Sequence, residues 1–179
     1  AVLLPALRNP VVLAQQLATV DQISEGRLII GAGLAPDTPA VRQEFAAAGV
    51  PFEGRVSRYM DGIELCRSLW KGDPVSQNGR WPLEAATLAP LPHREGGPPI
   101  WSAASVSAGI TRTARHHDGW FPIGPNADTF ATQNAQFRAE ASAAGRNLEA
   151  LTTAIYLTVS IMDDSVDAEA AIDAYLENY

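Results

Sequence analysis

The chain has 179 residues, 46% of them hydrophobic, which is enough to bury one sizeable core. Its formal net charge of −7 argues against nucleic acid and anionic membrane surfaces as partners, but allows a small phosphorylated ligand in a local site. A lone cysteine, Cys66, excludes an internal disulfide framework, and no apolar run reaches transmembrane length. We therefore expect one globular domain over residues 1–179, in a reducing, cytoplasmic compartment.

The N-terminal half predicts strands and helices in alternation. Asn9-Pro10 suits a helix start, because asparagine caps the first turn and proline tolerates its first position. That helix carries Leu13, Leu17 and Val20 along one apolar face and ends at Gly26. In chain order, the predicted elements are a strand over residues 1–4, a helix over 11–24, a buried strand over 27–33, a short helix over 40–48 and a long helix over 55–71. The long helix has residues at core spacing, namely Val56, Tyr59, Met60, Ile63, Cys66 and Trp70.

The C-terminal half continues the alternation after an interruption. Residues 73–98 are rich in proline and lack periodicity, which predicts a surface excursion with a hairpin around Asn78-Gly79. The elements predicted beyond it are strands over residues 100–104, 119–123 and 151–162, each followed by a helix, over 110–116, 127–144 and 166–177.

Five successive strand–helix units predict an α/β protein with a parallel sheet. Two architectures compete, an open doubly wound sheet and a (β/α) barrel. Gly31-Ala32-Gly33 follows a strand, as in dinucleotide-binding folds, but Pro36 stands where the third glycine of that motif belongs. In a barrel, the loops after the strands gather at one face. Loops 5–9, 31–39, 102–109 and 122–126 would then share one mouth.

The loop Ser105-Val106-Ser107 joins a buried strand to a helix. A helix start leaves backbone N–H groups unpaired and carries partial positive charge, so two hydroxyls in front of it suit an anionic oxygen. The alternative is that Ser105 or Ser107 simply caps the helix, and these residues taken alone favour that alternative.

Two histidines and two arginines on the following helix are weaker candidates. His116 and His117 are adjacent, so they face different directions, and no carboxylate lies at ligand spacing. We predict no metal site and interpret both histidines as residues whose charge the helix C-terminus favours. Arg112 and Arg115 could reach an anion, but solvated side chains are the more common case.

Several separated blocks resemble the luciferase-like flavin-dependent monooxygenase family. They are Leu4-Pro5, Arg8-Asn9-Pro10, Leu13-Ala14, the run 19–28, Gly31-Ala32-Gly33, Gly49-Val50-Pro51-Phe52 with Arg55 and Arg58, Leu69-Trp70, the run 98–101 and the run 114–122. Their order is that of the family, which is a (β/α)8 TIM barrel that binds reduced FMN or the deazaflavin F420 at the strand C-termini, generally as a dimer.

The resemblance implies cofactor contacts but no catalytic residue. It assigns Ser105, Val106, Ser107 and Ala108 to the cofactor phosphate, and places Gly31, Gly33, Leu34 and Trp120 near the cofactor ring. The sequence departs from the family pattern at Leu34, where members often carry a charged or polar residue, and at Ala104, where some carry glutamate.

The five strands resemble the third to seventh of the family barrel, so we expect an incomplete barrel, with the strands that carry the family's catalytic residues outside this chain. The implied activity is oxidation of a small organic substrate with oxygen and reduced FMN, which a separate flavin reductase would supply, by a homodimer. F420-dependent hydride transfer and a non-catalytic, flavin-binding shortened barrel are the alternatives.

Overall fold

A computed structural model describes residues 2–177 of the chain. The helices are α1 (Pro10–Ile23), α2 (Pro39–Ala47), α3 (Arg55–Trp70), α4 (Ser107–His116), α5 (Ala127–Ala143) and α6 (Ser165–Leu176). The strands are β1 (Ile30–Gly33), β2 (Val75–Gln77), β3 (Leu83–Ala86), β4 (Ile100–Ala103), β5 (Gly119–Trp120) and β6 (Thr152–Thr153). None of these helices is long and apolar enough to cross a membrane.

The main sheet is parallel and its strands follow one another in chain order. The order is β1-β4-β5-β6, and Leu3 adds a parallel bridge to Ala32 on the free side of β1. A doubly wound sheet reverses its strand order at a switch point, whereas a barrel wall adds each strand beside the last. The observed order is therefore that of a barrel wall, and the predicted parallel sheet is confirmed.

The excursion between α3 and β4 contains the predicted hairpin and packs on α1. Strands β2 and β3 pair antiparallel on either side of Asn78-Gly79, where Gly79 has φ of +106°. The side chains of Gln15 and Gln22 donate hydrogen bonds to the carbonyls of Ala89 and Leu91.

Helix α1 begins where the sequence predicts, but its buried face is rotated. The Asn9 side chain accepts hydrogen bonds from the N–H groups of Val11 and Val12, which confirms the predicted cap. Leu13 is buried, yet Val20 is 45% exposed, so its assignment to the core face is wrong. Asp21 is buried in its place, because its carboxylate accepts the N–H of Arg94 from the excursion.

The core forms two clusters on either side of β4. The larger lies between α1, α3 and β1, where the indole N–H of Trp70 donates to the carbonyl of Ala14. Burial there raises the pKa of the Cys66 thiol to about 12. The smaller lies between α4 and α5, where Trp120 stacks against Phe130 and Phe137.

The predicted strands at the two ends are shorter than the sequence indicates. Within the predicted strand 1–4, Ala1 lies outside the described residues and Leu3 makes an isolated bridge. The predicted strand 151–162 is reduced to β6 and a bridge between Ile123 and Tyr156. Its alternating apolar residues are typical of a half-buried strand, but Leu157, Val159 and Ile161 are exposed because no described element covers them.

Candidate functional site

A cleft of about 530 Å³ opens at the carboxyl ends of β1 and β4, between the starts of α3 and α4. Its lining residues are Leu34, Ala35 and Pro36 after β1, Arg55, Val56 and Tyr59 of α3, Ser102 to Val106 along β4 and its loop, Ala108, Gly109 and Arg112 of α4, and Ile123. Three of the four loops expected at a common mouth therefore meet here, while no residue of loop 5–9 lines the cleft.

The start of α4 lacks a side-chain cap. The N-cap residue is Val106, and neither flanking serine accepts a hydrogen bond from the first turn, so the alternative of a serine cap is wrong. Among residues 2–177, no acceptor takes a hydrogen bond from the N–H groups of Ser107 or Ala108. These two donors and the positive end of the helix remain available to an anion.

Small residues keep this helix start accessible. A Cβ atom added at Gly109 would come within 3.2 Å of the Ala104 side chain, so the first turn packs closely against the end of β4. Alanines at 103 and 108 line the adjoining wall. With small residues at 103, 104, 108 and 109 around the backbone donors, the cradle fits a tetrahedral oxyanion such as a phosphate.

The two serines of the loop face different neighbours. Ser105 lines the cleft, and its carbonyl accepts a hydrogen bond from Gln133 of α5 at 2.9 Å. Ser107 does not line the cleft, because its Oγ accepts a hydrogen bond from Gln136 Nε2 at 2.7 Å. The structure therefore leaves Ser105 as the loop serine that lines the cleft and ties Ser107 to α5.

Two arginines give the cleft a positive wall. Arg55 donates to the carbonyl of Ala35, and its guanidinium lies 3.9 Å above the ring of Phe52. Arg112 lines the cleft, and its side chain makes no hydrogen bond or ion pair within the part of the chain that the structure describes. Arg115 instead pairs with Glu140 at 3.0 Å. Among residues 2–177, no carboxylate lines the cleft to offset these charges.

A buried tyrosine–histidine pair lies at the inner end of the cleft. The Tyr59 hydroxyl oxygen is 2.6 Å from His117 Nε2, and the Tyr59 side chain lines the cleft while His117 is fully buried. Burial lowers the pKa of His117 to about 3, helped by the charge of Arg67. The expectation that His117 carries charge at the helix C-terminus is therefore wrong, because desolvation outweighs the helix dipole.

Three residues predicted near the cofactor ring do not line the cleft. A Cβ at Gly31 would come within 3.1 Å of the Phe121 ring, and one at Gly33 within 2.7 Å of Val2. Trp120 is fully buried, and its indole N–H donates to the carbonyl of Ala104 at 2.8 Å. None of these three residues lines the cleft, whereas Leu34 does.

Sequence reasoning missed Arg55, Tyr59 and His117 as site residues. Arg55 and Tyr59 are four residues apart, so one face of α3 presents both, and that spacing was a signal for a shared polar surface. No signal in the sequence places His117 behind Tyr59. Among the described residues, no group of three or more His, Cys, Asp or Glu side chains could hold a metal ion.

Comparison with known proteins gives consistent results for sequence and structure. The sequence profile of a family described as luciferase-like monooxygenase matches residues 1–179. A phthiodiolone/phenolphthiodiolone dimycocerosates ketoreductase of Mycobacterium kansasii is 30% identical over 171 residues, which are 93% of this chain and 45% of that protein. An F420-dependent glucose-6-phosphate dehydrogenase of Mycolicibacterium fortuitum is 29% identical over 92% of this chain and 49% of its own length.

Solved structures resemble the chain over nearly its whole length. The monooxygenase RslO1 of Streptomyces bottropensis superposes with a TM-score of 0.84 at 26% identity, over 99% of this chain and 54% of that one. An F420-dependent tetrahydromethanopterin reductase of Methanopyrus kandleri gives 0.75 at 24% identity, over 90% and 49%, which shows the fold alone. The barrel prediction is thus confirmed, and the chain spans about half the length of the curated relatives it matches.

Proposed function

The chain belongs to the luciferase-like monooxygenase family, and on that premise we propose that its cleft binds the phosphorylated end of a flavin or deazaflavin cofactor of an oxidoreductase. The observation that carries this proposal is the start of α4, where the N–H groups of Ser107 and Ala108 have no acceptor within residues 2–177. Arg112 and Ser105 line the same cleft. Unpaired donors, partial positive charge and a guanidinium together suit a phosphate.

The residues of the chain have separate tasks in this proposal. The first turn of α4 and Arg112 bind the phosphate, while Ser105 contributes its hydroxyl. The apolar wall of Leu34, Val56 and Ile123 excludes water from the rest of the ligand. The bound cofactor supplies the redox chemistry, and the protein orients it and shields it from solvent.

The first candidate reaction is oxygenation of a small organic substrate with reduced FMN. It is supported by the likeness to a structure named as a monooxygenase, at a TM-score of 0.84. A separate flavin reductase would then supply the reduced cofactor, and the family resemblance favours a homodimer. Our assignment of Ser105, Val106, Ser107 and Ala108 to the phosphate, and of Gly31, Gly33, Leu34 and Trp120 to the surroundings of the ring, is part of this proposal.

The second candidate is hydride transfer with F420. It is supported by a relative that is named as F420-dependent and is 29% identical over 92% of this chain. Both cofactors carry a phosphate on a flexible chain, so the cradle at α4 suits either. A non-catalytic, flavin-binding role is the third candidate function, and turnover of any substrate by the chain would exclude it.

Equilibrium titration tests the proposal directly. The purified chain is titrated with FMN and with F420, each oxidised and reduced, and binding is followed by cofactor fluorescence. We expect one of the two to bind and to compete with inorganic phosphate for the same site. Binding of FMN favours the first reaction and binding of F420 the second, and no binding of either would contradict the proposal.

A further inference from the structure

Two glutamines of α5 hold the loop that leads into α4. The Nε2 atom of Gln133 donates a hydrogen bond to the Ser105 carbonyl at 2.9 Å. The Nε2 atom of Gln136 donates to the Ser107 carbonyl at 3.3 Å and to the Ser107 Oγ at 2.7 Å. Because a carbonyl oxygen can only accept, the direction of both bonds to the main chain is fixed. Among the described residues of α5, none lines the cleft, so the glutamines hold the loop from outside it.

These bonds orient two peptide groups of the loop. Both peptide bonds are trans, and in a trans peptide the N–H points opposite to the C=O. Because the Ser105 carbonyl points toward α5, the N–H of Val106 points away from α5. For the same reason, the bond to the Ser107 carbonyl turns the N–H of Ala108 away from the glutamine that makes it. Val106 and Ala108 both line the cleft, so α5 determines the direction of two backbone donors there.

The N–H of Val106 adds a third donor to the two already described at Ser107 and Ala108. Among residues 2–177 it meets no acceptor either. Successive backbone N–H groups that lead into a helix are a recurrent way to bind a phosphate. Their strength depends on the orientation of the peptide planes, because a hydrogen bond weakens steeply when its angle is poor. Whatever fixes these planes therefore influences the affinity for an anion.

The amide oxygen of Gln133 indicates that packing alone does not explain this side chain. Its Oε1 atom is buried and has no hydrogen-bond partner within residues 2–177. An unpaired buried acceptor lowers stability, and an apolar side chain of the same length would avoid that cost. What the amide adds at this position is its hydrogen bond to the loop.

We propose that Gln133 and Gln136 are positioning residues for the cofactor phosphate, because they orient the peptide groups of the loop so that the N–H groups at the start of α4 converge on one oxyanion. The inference rests on the proposed function, since it requires a phosphate at α4. It adds α5, which does not line the cleft, to the elements that determine cofactor affinity.

Comparison of each cofactor with its dephosphorylated form tests this role. Gln133→Met and Gln136→Met keep the length of the side chain and remove its donors. Each protein is titrated with FMN and riboflavin, and with F420 and the deazaflavin that lacks the phosphate chain. We expect affinity for the phosphorylated cofactor to fall about 10-fold in Gln133→Met and about 3-fold in Gln136→Met. Affinity for the dephosphorylated form should stay within about 2-fold of wild type, whereas a general loss of structure would lower both affinities.

Asn134→Ala is the matched control on the same helix. The Asn134 side chain accepts a hydrogen bond from Thr153 of β6 at 3.4 Å, and it makes no hydrogen bond to the loop. Both affinities should stay within about 2-fold of wild type in this variant. Thermal melting of every variant shows that the protein titrated is folded.

The inference and the proposed function fail in different ways. Wild-type affinity for the phosphorylated cofactor in both glutamine variants would overturn the inference, and so would equal losses for the phosphorylated and dephosphorylated forms. Either result would leave the proposed function intact. If the wild-type chain binds neither cofactor, or binds each no more tightly than its dephosphorylated form, the proposed function fails and this inference fails with it. Should one glutamine variant not fold, the other decides the result.

Discussion

The starts of the described helices fall into two groups. Helices α1, α2, α5 and α6 begin with a side chain that accepts hydrogen bonds from the first turn, from Asn9, Thr38, Asn126 and Asp164 respectively. Helices α3 and α4 begin at Gly54 and Val106 without such a bond, and both of them begin at the cleft. Within residues 2–177, side-chain caps are therefore absent where the cleft opens and present elsewhere.

The two helices that begin at the cleft lack the stabilisation that a side-chain cap would give them. A missing side-chain cap costs a helix about 1 kcal/mol. At α4 the N–H groups that a cap would bind are free to donate hydrogen bonds to an anion. Those hydrogen bonds then contribute to the free energy of ligand binding instead of to folding. Four changes test whether the two groups of helix starts differ in this way, and they are ordered here by expected effect.

The largest effect is expected from giving α4 a cap of its own. Val106→Asp places a carboxylate on the first turn, where it should raise thermal stability and repel a phosphate. We expect affinity for the cofactor to fall by about 100-fold, since like charges a few ångströms apart near a protein surface repel by a few kcal/mol. Thermal melting and cofactor titration of the same sample measure both effects.

Val106→Asn is the control for this change, because it supplies a neutral cap. It should stabilise the helix with a smaller loss of affinity than the aspartate causes. Unchanged affinity in Val106→Asp would place the ligand away from α4.

A smaller loss is expected when the free cation of the cleft is removed. Arg112→Ala should weaken cofactor binding by about 30-fold, the value of a charge-assisted hydrogen bond of about 2 kcal/mol. The remaining affinity should also depend less steeply on salt. Titrations at two ionic strengths measure this.

Arg115→Ala is the matched control on the same helix, because Arg115 is paired with Glu140. It should leave cofactor affinity within 2-fold of wild type, since an exposed ion pair contributes about 1 kcal/mol or less. Equal losses in the two variants would mean that the net charge of the helix matters rather than the cleft position of Arg112.

The two loop serines should differ although they are separated by one residue. Ser105→Ala removes the hydroxyl of the serine that lines the cleft and should lower cofactor affinity about 10-fold. Ser107→Ala removes a hydroxyl held by Gln136, so its loss should be about 2-fold. Parallel titrations compare the two, and the reverse order would show that Ser107 turns toward the ligand when it binds.

The smallest effect is expected at a capped helix away from the cleft. Asn126→Ala removes the side chain that accepts the N–H of Thr129 and should lower the free energy of unfolding by about 1 kcal/mol. Cofactor affinity should not change. Denaturant unfolding and titration measure the two quantities, and a matching loss of affinity would break the distinction between capped and uncapped helix starts.

Much of the fold was predictable because its signals are local. The cap at Asn9-Pro10, the hairpin at Asn78-Gly79 and the alternation of strands and helices each depend on a few neighbouring residues. The strand predicted over 151–162 failed for the opposite reason. Alternation describes a segment that could form a strand, whereas a strand also needs a partner, and β6 is paired over two residues.

The site was predictable in its location more than in its side chains. The loop after β4 was identified because a buried strand runs into small polar residues before a helix. Its serines were assigned one role, but Gln136 holds Ser107 on the side of α5. Gln136 is 29 residues away along the chain, so no local pattern could reveal that contact.

The sequence by itself determined the family, the parallel sheet and the small-residue loop, because turn chemistry, periodicity and motif order are written in consecutive residues. Tertiary structure alone decided that Arg112 lines the cleft, that Trp120 is buried against Ala104 instead of lining it, and that Tyr59 meets His117. Those outcomes depend on how α3, α4 and α5 pack across β4 and β5. The same packing removes His117 from water and keeps it neutral, although its position at a helix C-terminus would favour charge.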